Sequence, residues 1–241
     1  MDIVYFGGFR AQSEGSDSTS SKLDYLANQN VVGEEYYVSS VMLDYYTHIR
    51  DSVKLTEFDL HYEIDFVFKQ IEKNDWLNYD DFPIVGDGVK YVGRRIDRNI
   101  LYIGISLGGF FAYYFAKKFS CPAVIINPCY SPAQMLKKYV DEMINPPDFG
   151  YFRFTQENLD EYSYFETMLP IIQHSNPEQI KVVVNNDDET IPFATQPDIE
   201  RLRKYIPEGE LIQYPTGGHR ATNFPAIVED VIIPMYQKLQ R

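Results

Sequence analysis

The residues with the most chemical potential in this chain surround Ser106. They run Ile100-Leu101-Tyr102-Ile103-Gly104-Ile105-Ser106-Leu107-Gly108-Gly109-Phe110-Phe111-Ala112, an apolar strand, a turn of small residues and then an apolar helix. A strand that turns at once into a helix forces its central residue into a strained backbone conformation, and neighbours larger than glycine would collide there. Such a turn lifts the serine hydroxyl clear of a sheet. It also sets that hydroxyl at a helix N-terminus, where backbone N–H groups and the dipole favour developing negative charge. A bare Gly-x-Ser-x-Gly is short enough to arise by chance, so the strand before it and the helix after it carry its meaning.

A serine hydroxyl is a poor nucleophile until a base takes its proton. The chain has four histidines. His48 and His61 lie early among tyrosines and acids, and His174 sits beside Gln173, Ser175 and Asn176 just before Pro177; surface or helix-capping roles suit all three. His219 differs, because Tyr214-Pro215-Thr216-Gly217-Gly218-His219 follows the last expected strand, and paired glycines let a tight loop bring the imidazole back over a sheet. An orienting acid should follow another strand between the two. Lys181-Val182-Val183-Val184-Asn185-Asn186-Asp187-Asp188-Glu189-Thr190-Ile191-Pro192 supplies a β-branched strand ending in a polar turn. Spacing to Ile191-Pro192 favours Asp188, with Asp187 open as the alternative. Taken singly these are a loop histidine and a solvated acidic turn. The chain order Ser106, Asp188, His219 favours nucleophile, orienting acid and base.

Positioning such a trio needs strands whose ends converge. Apolar runs that read as buried parallel strands recur at 2–6, 36–43, 99–104, 122–127, 180–185 and 210–214, mostly followed by helical periodicity. That alternation implies a mostly parallel sheet covered by helices on both faces. No repeat of fixed period is present. A Ser-rich stretch at 13–20 leads into helical spacing at Lys22–Leu26, and Phe58, Ile64, Phe68 and Ile71 mark a helical face within 57–73. Residues 78–98 read as an insertion, with a hairpin one option. Residues 131–165, rich in Phe and Tyr, suit either a cap over a site or a helix pair packed on the core.

Composition narrows the partners. The 241 residues and 28.1 kDa are ample for one core-forming domain, and 44% hydrophobic with 24% charged residues is ordinary globular usage. Lys+Arg 22 against Asp+Glu 35 leaves a net charge of −13, which repels phosphate backbones and anionic lipid. Nucleic acid and membrane are therefore unexpected partners. Arg94, Arg95 and Arg98 form a small basic cluster, and Glu57, Asp59, Glu63, Asp80 and Asp81 lack calcium-loop spacing, so a solvated acidic face is expected. Cys121 and Cys129 have no metal or redox spacing and read as free thiols. The opening Met1-Asp2-Ile3-Val4-Tyr5-Phe6 reads as a strand rather than a leader, and no apolar run is long enough to span a bilayer, so the expected location is the cytoplasm.

With these residues in place, the chain resembles the α/β-hydrolase superfamily and, more narrowly, the small bacterial esterases of the YqiA-like (UPF0227) type. Tyr5-Phe6-Gly7-Gly8-Phe9, the Gly104–Ala112 turn, Cys121-Pro122-Ala123-Val124-Ile125-Ile126-Asn127-Pro128, Asp188-Glu189 and Gly217-Gly218-His219 carry the likeness. The resemblance implies an α/β-hydrolase fold over residues 1–241 as a single domain, with a cap-like region at about 131–165 and the insertion at about 78–98. It implies Ser106 as nucleophile, His219 as base, Asp188 as third member, and an oxyanion hole from the N–H groups of Phe9 and Leu107. Members usually open with His-Gly-Phe where this chain has Gly7-Gly8-Phe9. Because the donor is a backbone N–H, the lost side chain does not by itself remove it.

The activity expected from this is cleavage of a carboxylic ester or thioester through an acyl-enzyme on Ser106. A small-molecule acyl compound is the expected partner, with no metal or organic cofactor. Two other readings stand beside it: a catalytically silent binding protein of the same fold, favoured by the altered first loop, and an acyltransferase that hands the acyl group to an acceptor other than water.

Overall fold

A computed structural model describes residues 2–9, 21–22, 25–26, 28–29, 38–41, 100–144 and 152–239. The helical face expected at 57–73, the insertion at 78–98, the Ser-rich stretch, His48, His61, the arginine cluster and the early acidic runs lie outside the described residues.

Six parallel strands form one sheet: β1 (Asp2–Phe6), β2 (Val38–Val41), β3 (Ile100–Ile105), β4 (Ala123–Ile126), β7 (Ile180–Asn185) and β8 (Glu210–Tyr214), in the order β2-β1-β3-β4-β7-β8. The strands β5 (Met143–Ile144) and β6 (Phe152–Arg153) make a separate antiparallel pair. Helix α1 (Leu107–Phe119) follows β3 without a connecting loop. Later come α2 (Pro132–Leu136), α3 (Gln156–Met168), α4 (Gln196–Tyr205) and a C-terminal helical stretch, α5 (Phe224–Ile227), a π turn (Val228–Ile232) and α6 (Ile233–Leu239).

The alternation of side chains along a strand explains why these segments carry apolar residues at nearly every position. Tyr102 of β3, Ala123 and Ile125 of β4, and Ile180, Val182 and Val184 of β7 face one layer, where α1 and α4 pack. Leu101, Ile103, Ile105, Val124, Ile126 and Val183 face the other, against Leu26 and the C-terminal Phe224, Ile227, Val228, Val231 and Ile232. Each inner strand is thus buried on both faces. Within the aromatic region, Phe154, Tyr162 and Phe165 are buried in the same core as Phe111 and Tyr114 of α1, whereas Met143 and Tyr164 are about half exposed at 53% and 52%.

The register sets the site. β1 pairs with β3 (Phe6 opposite Gly104), β3 with β4 (Ile105 opposite Ile126), and β7 with β8 (Asn185 opposite Tyr214), so their carboxyl ends lie along one edge. Strand order reverses around β1, and in open α/β sheets the crevice outside that reversal is where ligands bind.

Candidate active site

Ser106 occupies the junction of β3 and α1 with φ 57 and ψ −122, a backbone conformation rarely held by a residue with a side chain. The junction is fixed by its own backbone: Ser106 N–H donates to Ile126 O at 2.9 Å, and Cys129 N–H donates to Ser106 O at 2.9 Å. A Cβ at position 104 would stand 2.1 Å from Gly108 O, and one at 108 would stand 2.2 Å from Phe6 O, so the small residues are demanded by backbone packing. Ser106 does not cap α1 with its side chain. Its hydroxyl instead meets His219.

His219 Nε2 lies 2.9 Å from Ser106 Oγ, and its Nδ1 lies 2.8 Å from Asp188 Oδ2 and 3.0 Å from Oδ1. A carboxylate only accepts, so Nδ1–H donates to Asp188 and Nε2 is left to accept the Ser106 hydroxyl proton. The Asp188 side chain is fully buried and that of His219 is 16% exposed. Asp188 Oδ1 also accepts Thr190 N–H at 2.8 Å and Ile191 N–H at 2.7 Å, which aims the carboxylate at the imidazole.

Gly7, Gly8 and Phe9 leave β1 beside this trio. A Cβ at position 8 would sit 3.2 Å from Ser106 Cβ and 3.7 Å from Ser106 Oγ, so the loop passes directly against the serine. The Phe9 ring packs against Tyr139, with centroids 5.6 Å apart. Leu107 is the first residue of the 13-residue α1, where the amide points out of the helix with the positive end of the dipole. The two N–H groups expected at an oxyanion thus belong to segments that flank Ser106.

Asp187, the other acid weighed at this turn, engages the histidine loop elsewhere: it accepts Gly218 N–H at 2.8 Å and Gly217 N–H at 3.2 Å. Those bonds, led by the one from Gly218, hold its carboxyl below the usual aspartate range. Glu189 is likewise lowered, first by its own amide and then by His219 N–H, which reaches its Oε2 at 3.0 Å. Three asparagines complete the surroundings and were assigned no role from the sequence. Asn127 Nδ2 donates to Gly218 O at 2.9 Å and to His219 O at 3.1 Å. Asn185 Nδ2 donates to Gly218 O at 3.0 Å, and Asn185 and Asn223 exchange side-chain amide bonds. Their only sequence signal is position, since Asn127 and Asn185 stand at the carboxyl ends of two strands.

His174 is away from this cluster, its Nε2–H donating to Cys121 O at 2.7 Å and its Nδ1 accepting Asn176 N–H. Cys121 and Cys129 are buried and in no disulfide, and burial pushes the Cys129 thiol well above its ordinary range. Among the described residues no group of three His, Cys, Asp or Glu side chains is placed to hold a metal, and no helix is long and apolar enough to cross a membrane.

The family model described as Uncharacterised protein family (UPF0227) matches residues 83–232, more than half of the 241. The chain belongs to this family. The UPF0227 match spans Ser106, Asp188 and His219 together. Solved structures share its fold: Est1E from Butyrivibrio proteoclasticus has a TM-score of 0.62 at 13% identity, covering 100% of this chain and 88% of its own. Mouse alpha/beta hydrolase domain-containing protein 10 has a TM-score of 0.56 at 14% identity, covering 99% and 90%. The Pyrococcus furiosus esterase Pf2001 has a TM-score of 0.52 at 14% identity, covering 98% and 82%. The UPF0227 chain therefore has the α/β-hydrolase fold, as its sequence resemblance implied. No curated protein sequence matches it.

Proposed function

We propose that this protein is a serine hydrolase that cleaves a carboxylic ester or thioester through an acyl-enzyme on Ser106. One observation carries the reading: a single imidazole bridges the hydroxyl of a strained, helix-terminal serine, at 2.9 Å, and a buried carboxylate, at 2.8 Å. Ser106 Oγ attacks the substrate carbonyl as its proton passes to His219 Nε2. The carbonyl oxygen becomes an oxyanion that accepts from the N–H groups of Phe9 and Leu107. Asp188 holds the imidazolium through Nδ1–H. Collapse re-forms the carbonyl and breaks the bond to the alcohol or thiol, which leaves with the proton from Nε2. A water then gives a proton to His219, attacks the acyl carbon and releases the acid, and Ser106 regains its proton. Each oxyanion donor is worth roughly 10²–10³ in turnover, which makes the Gly7-Gly8-Phe9 loop part of the machinery.

In this reading the partner is a small acyl ester or thioester, taken by a single domain with a cap-like region at about 131–165. The net charge of −13 works against nucleic acid and anionic membrane. Two buried cysteines in no disulfide suit the cytoplasm.

The test is fluorophosphonate labelling read by intact mass, together with hydrolysis of p-nitrophenyl and thioester substrates. The expected result is one label on the wild type, none on Ser106→Ala and strongly slowed labelling of His219→Ala. Folded wild-type protein that neither labels nor hydrolyses any acyl substrate would refute the reading and favour a silent binding protein. Products bearing the acyl group on an added alcohol or amine, with little free acid, would instead make it an acyltransferase.

A further inference from the structure

The loop carrying His219 is gripped from two sides by groups that do not touch the reacting atoms. From below, Asn127 is wholly buried at 0% exposure, with its backbone in the left-handed region at φ 43. Its Oδ1 accepts Asn185 N–H at 2.8 Å, and its Nδ2 donates to the carbonyls of Gly218 and His219 at 2.9 and 3.1 Å. Asn185, also wholly buried, adds a second donor to Gly218 O at 3.0 Å. From the other side, Asp187 takes the amides of Gly217 and Gly218, and Glu189 takes the amide of His219. Three consecutive N–H groups are thus held by two carboxylates, and two consecutive carbonyls by two asparagines.

We propose that Asn127, Asp187 and Glu189 are positioning residues that together clamp the Gly217–His219 backbone and so set the distance from the His219 imidazole to Ser106. This rests on the reading of His219 as general base. The physical need is plain. Two adjacent glycines give the loop more backbone freedom than any other pair of residues, while proton transfer demands the ring within a few tenths of an ångström of its place. Asp188 orients the ring but cannot fix the backbone from which the ring hangs. The clamp removes that freedom by satisfying the loop's polar groups in one geometry only. Asp187, Asp188 and Glu189 are consecutive, so the turn after β7 holds both the ring and the chain that carries it.

The exposed half of the clamp can be removed without opening the core. The experiment compares wild type with the double variants Asp187→Ala/Glu189→Ala and Asp187→Asn/Glu189→Gln. The readouts are kcat and KM on p-nitrophenyl acetate, and amide hydrogen exchange in the peptide covering 215–222. The alanine pair is expected to lose about 10- to 100-fold in kcat with little change in KM, and to exchange faster at 217–219. The Asn/Gln pair keeps acceptor oxygens and is expected to recover most of both. Asn127→Asp turns a donor into an acceptor facing two carbonyls and is expected to lose at least as much kcat as the alanine pair. An alanine pair with wild-type kcat and wild-type exchange would overturn the clamp, and so would an Asn/Gln pair as damaged as the alanine pair. If Ser106→Ala proves as active as wild type, the reading of the site fails instead. The exchange measurement then still decides the clamp, because it does not depend on turnover.

Discussion

Adjacent glycines in the serine turn should answer differently to the same substitution. In Gly108→Ala the new Cβ would stand 2.2 Å from Phe6 O, 2.4 Å from Gly7 O and 2.6 Å from the Phe6 carbonyl carbon. All three are backbone atoms, so no side chain can rotate away. A comfortable carbon–oxygen approach is about 3.3 Å, so the end of β1 must retreat by roughly 1 Å. That retreat strains the pairing of Phe6 with Gly104 and carries Gly7-Gly8-Phe9 away from Ser106. Overpacking of this kind costs typically 1–3 kcal/mol, and the rigid neighbours put Gly108→Ala at the upper end. A shift of about 1 Å in an oxyanion donor costs on the order of 10² in turnover. In Gly109→Ala the nearest atoms are Pro128 Cα and Cβ at 3.2 Å and Gly104 O at 3.4 Å, which need to yield only slightly. Alanine is preferred over glycine in a helix by about 1 kcal/mol, and that gain offsets the tight contact at position 109. Urea unfolding followed by circular dichroism, with kcat on p-nitrophenyl acetate, is expected to give a large loss of stability and activity for Gly108→Ala and near wild-type stability for Gly109→Ala. Equal stability for the two variants, or the reverse order, would overturn this assignment of the two contacts.

Three further outcomes follow from the same geometry. Asp188→Asn can present an N–H to His219 Nδ1 and favour the wrong tautomer; kcat should fall by roughly 10⁴ with KM nearly unchanged, measured by steady-state ester hydrolysis. Gly217→Ala places a Cβ 2.2 Å from Asn223 Oδ1 and 2.5 Å from Asn185 Nδ2 at φ 148, so it should be destabilised, and adding Asn223→Ser should restore part of the urea midpoint. Glu166 is raised above the usual glutamate range by burial, against the opposing bonds from Ala133 N–H at 2.6 Å and Ser131 Oγ at 3.3 Å. A carboxyl so raised favours the folded state below its unfolded pKa, and that contribution is lost as pH rises through its folded value. Glu166→Gln should therefore raise the urea midpoint at about pH 8 and show no advantage at about pH 4.

The strands were legible because burial on both faces leaves little room for polar residues. Ile180–Asn185 and Glu210–Tyr214 fall within the bounds expected from the sequence, and 99–104 shifts by one residue to Ile100–Ile105. Of the longer run at 36–43, the described residues Val38–Val41 form a strand. Strand order was not legible, since nothing local records that β1 lies between β2 and β3. The aromatic run 131–165 could not be resolved from composition either. Its burial is decided residue by residue, Tyr162 and Phe165 packing on α1 while Tyr164 between them faces outward.

The site divides along the same line between local and distant demands. Gly104, Ser106 and Gly108 announce themselves because their constraint is the turn itself, where one backbone segment collides with another a few residues on. Gly108 extends that constraint to β1, but the requirement for a small residue still shows in the motif. Asn127, Asn185 and Asn223 give no such sign. Their bonds run between residues 33 to 92 positions apart, and an asparagine before proline, or in an Asn-Asn-Asp-Asp run, reads equally well as a turn former. What distinguishes Asn127 is that both ends of its amide are used on different elements while no part of it meets water. A buried amide that needs partners from β7 and from the histidine loop at once can be satisfied only when both are in place. The imidazole is thereby tied to the assembled sheet rather than to its own loop, which is why a loop built on two glycines can still hold its imidazole in one position.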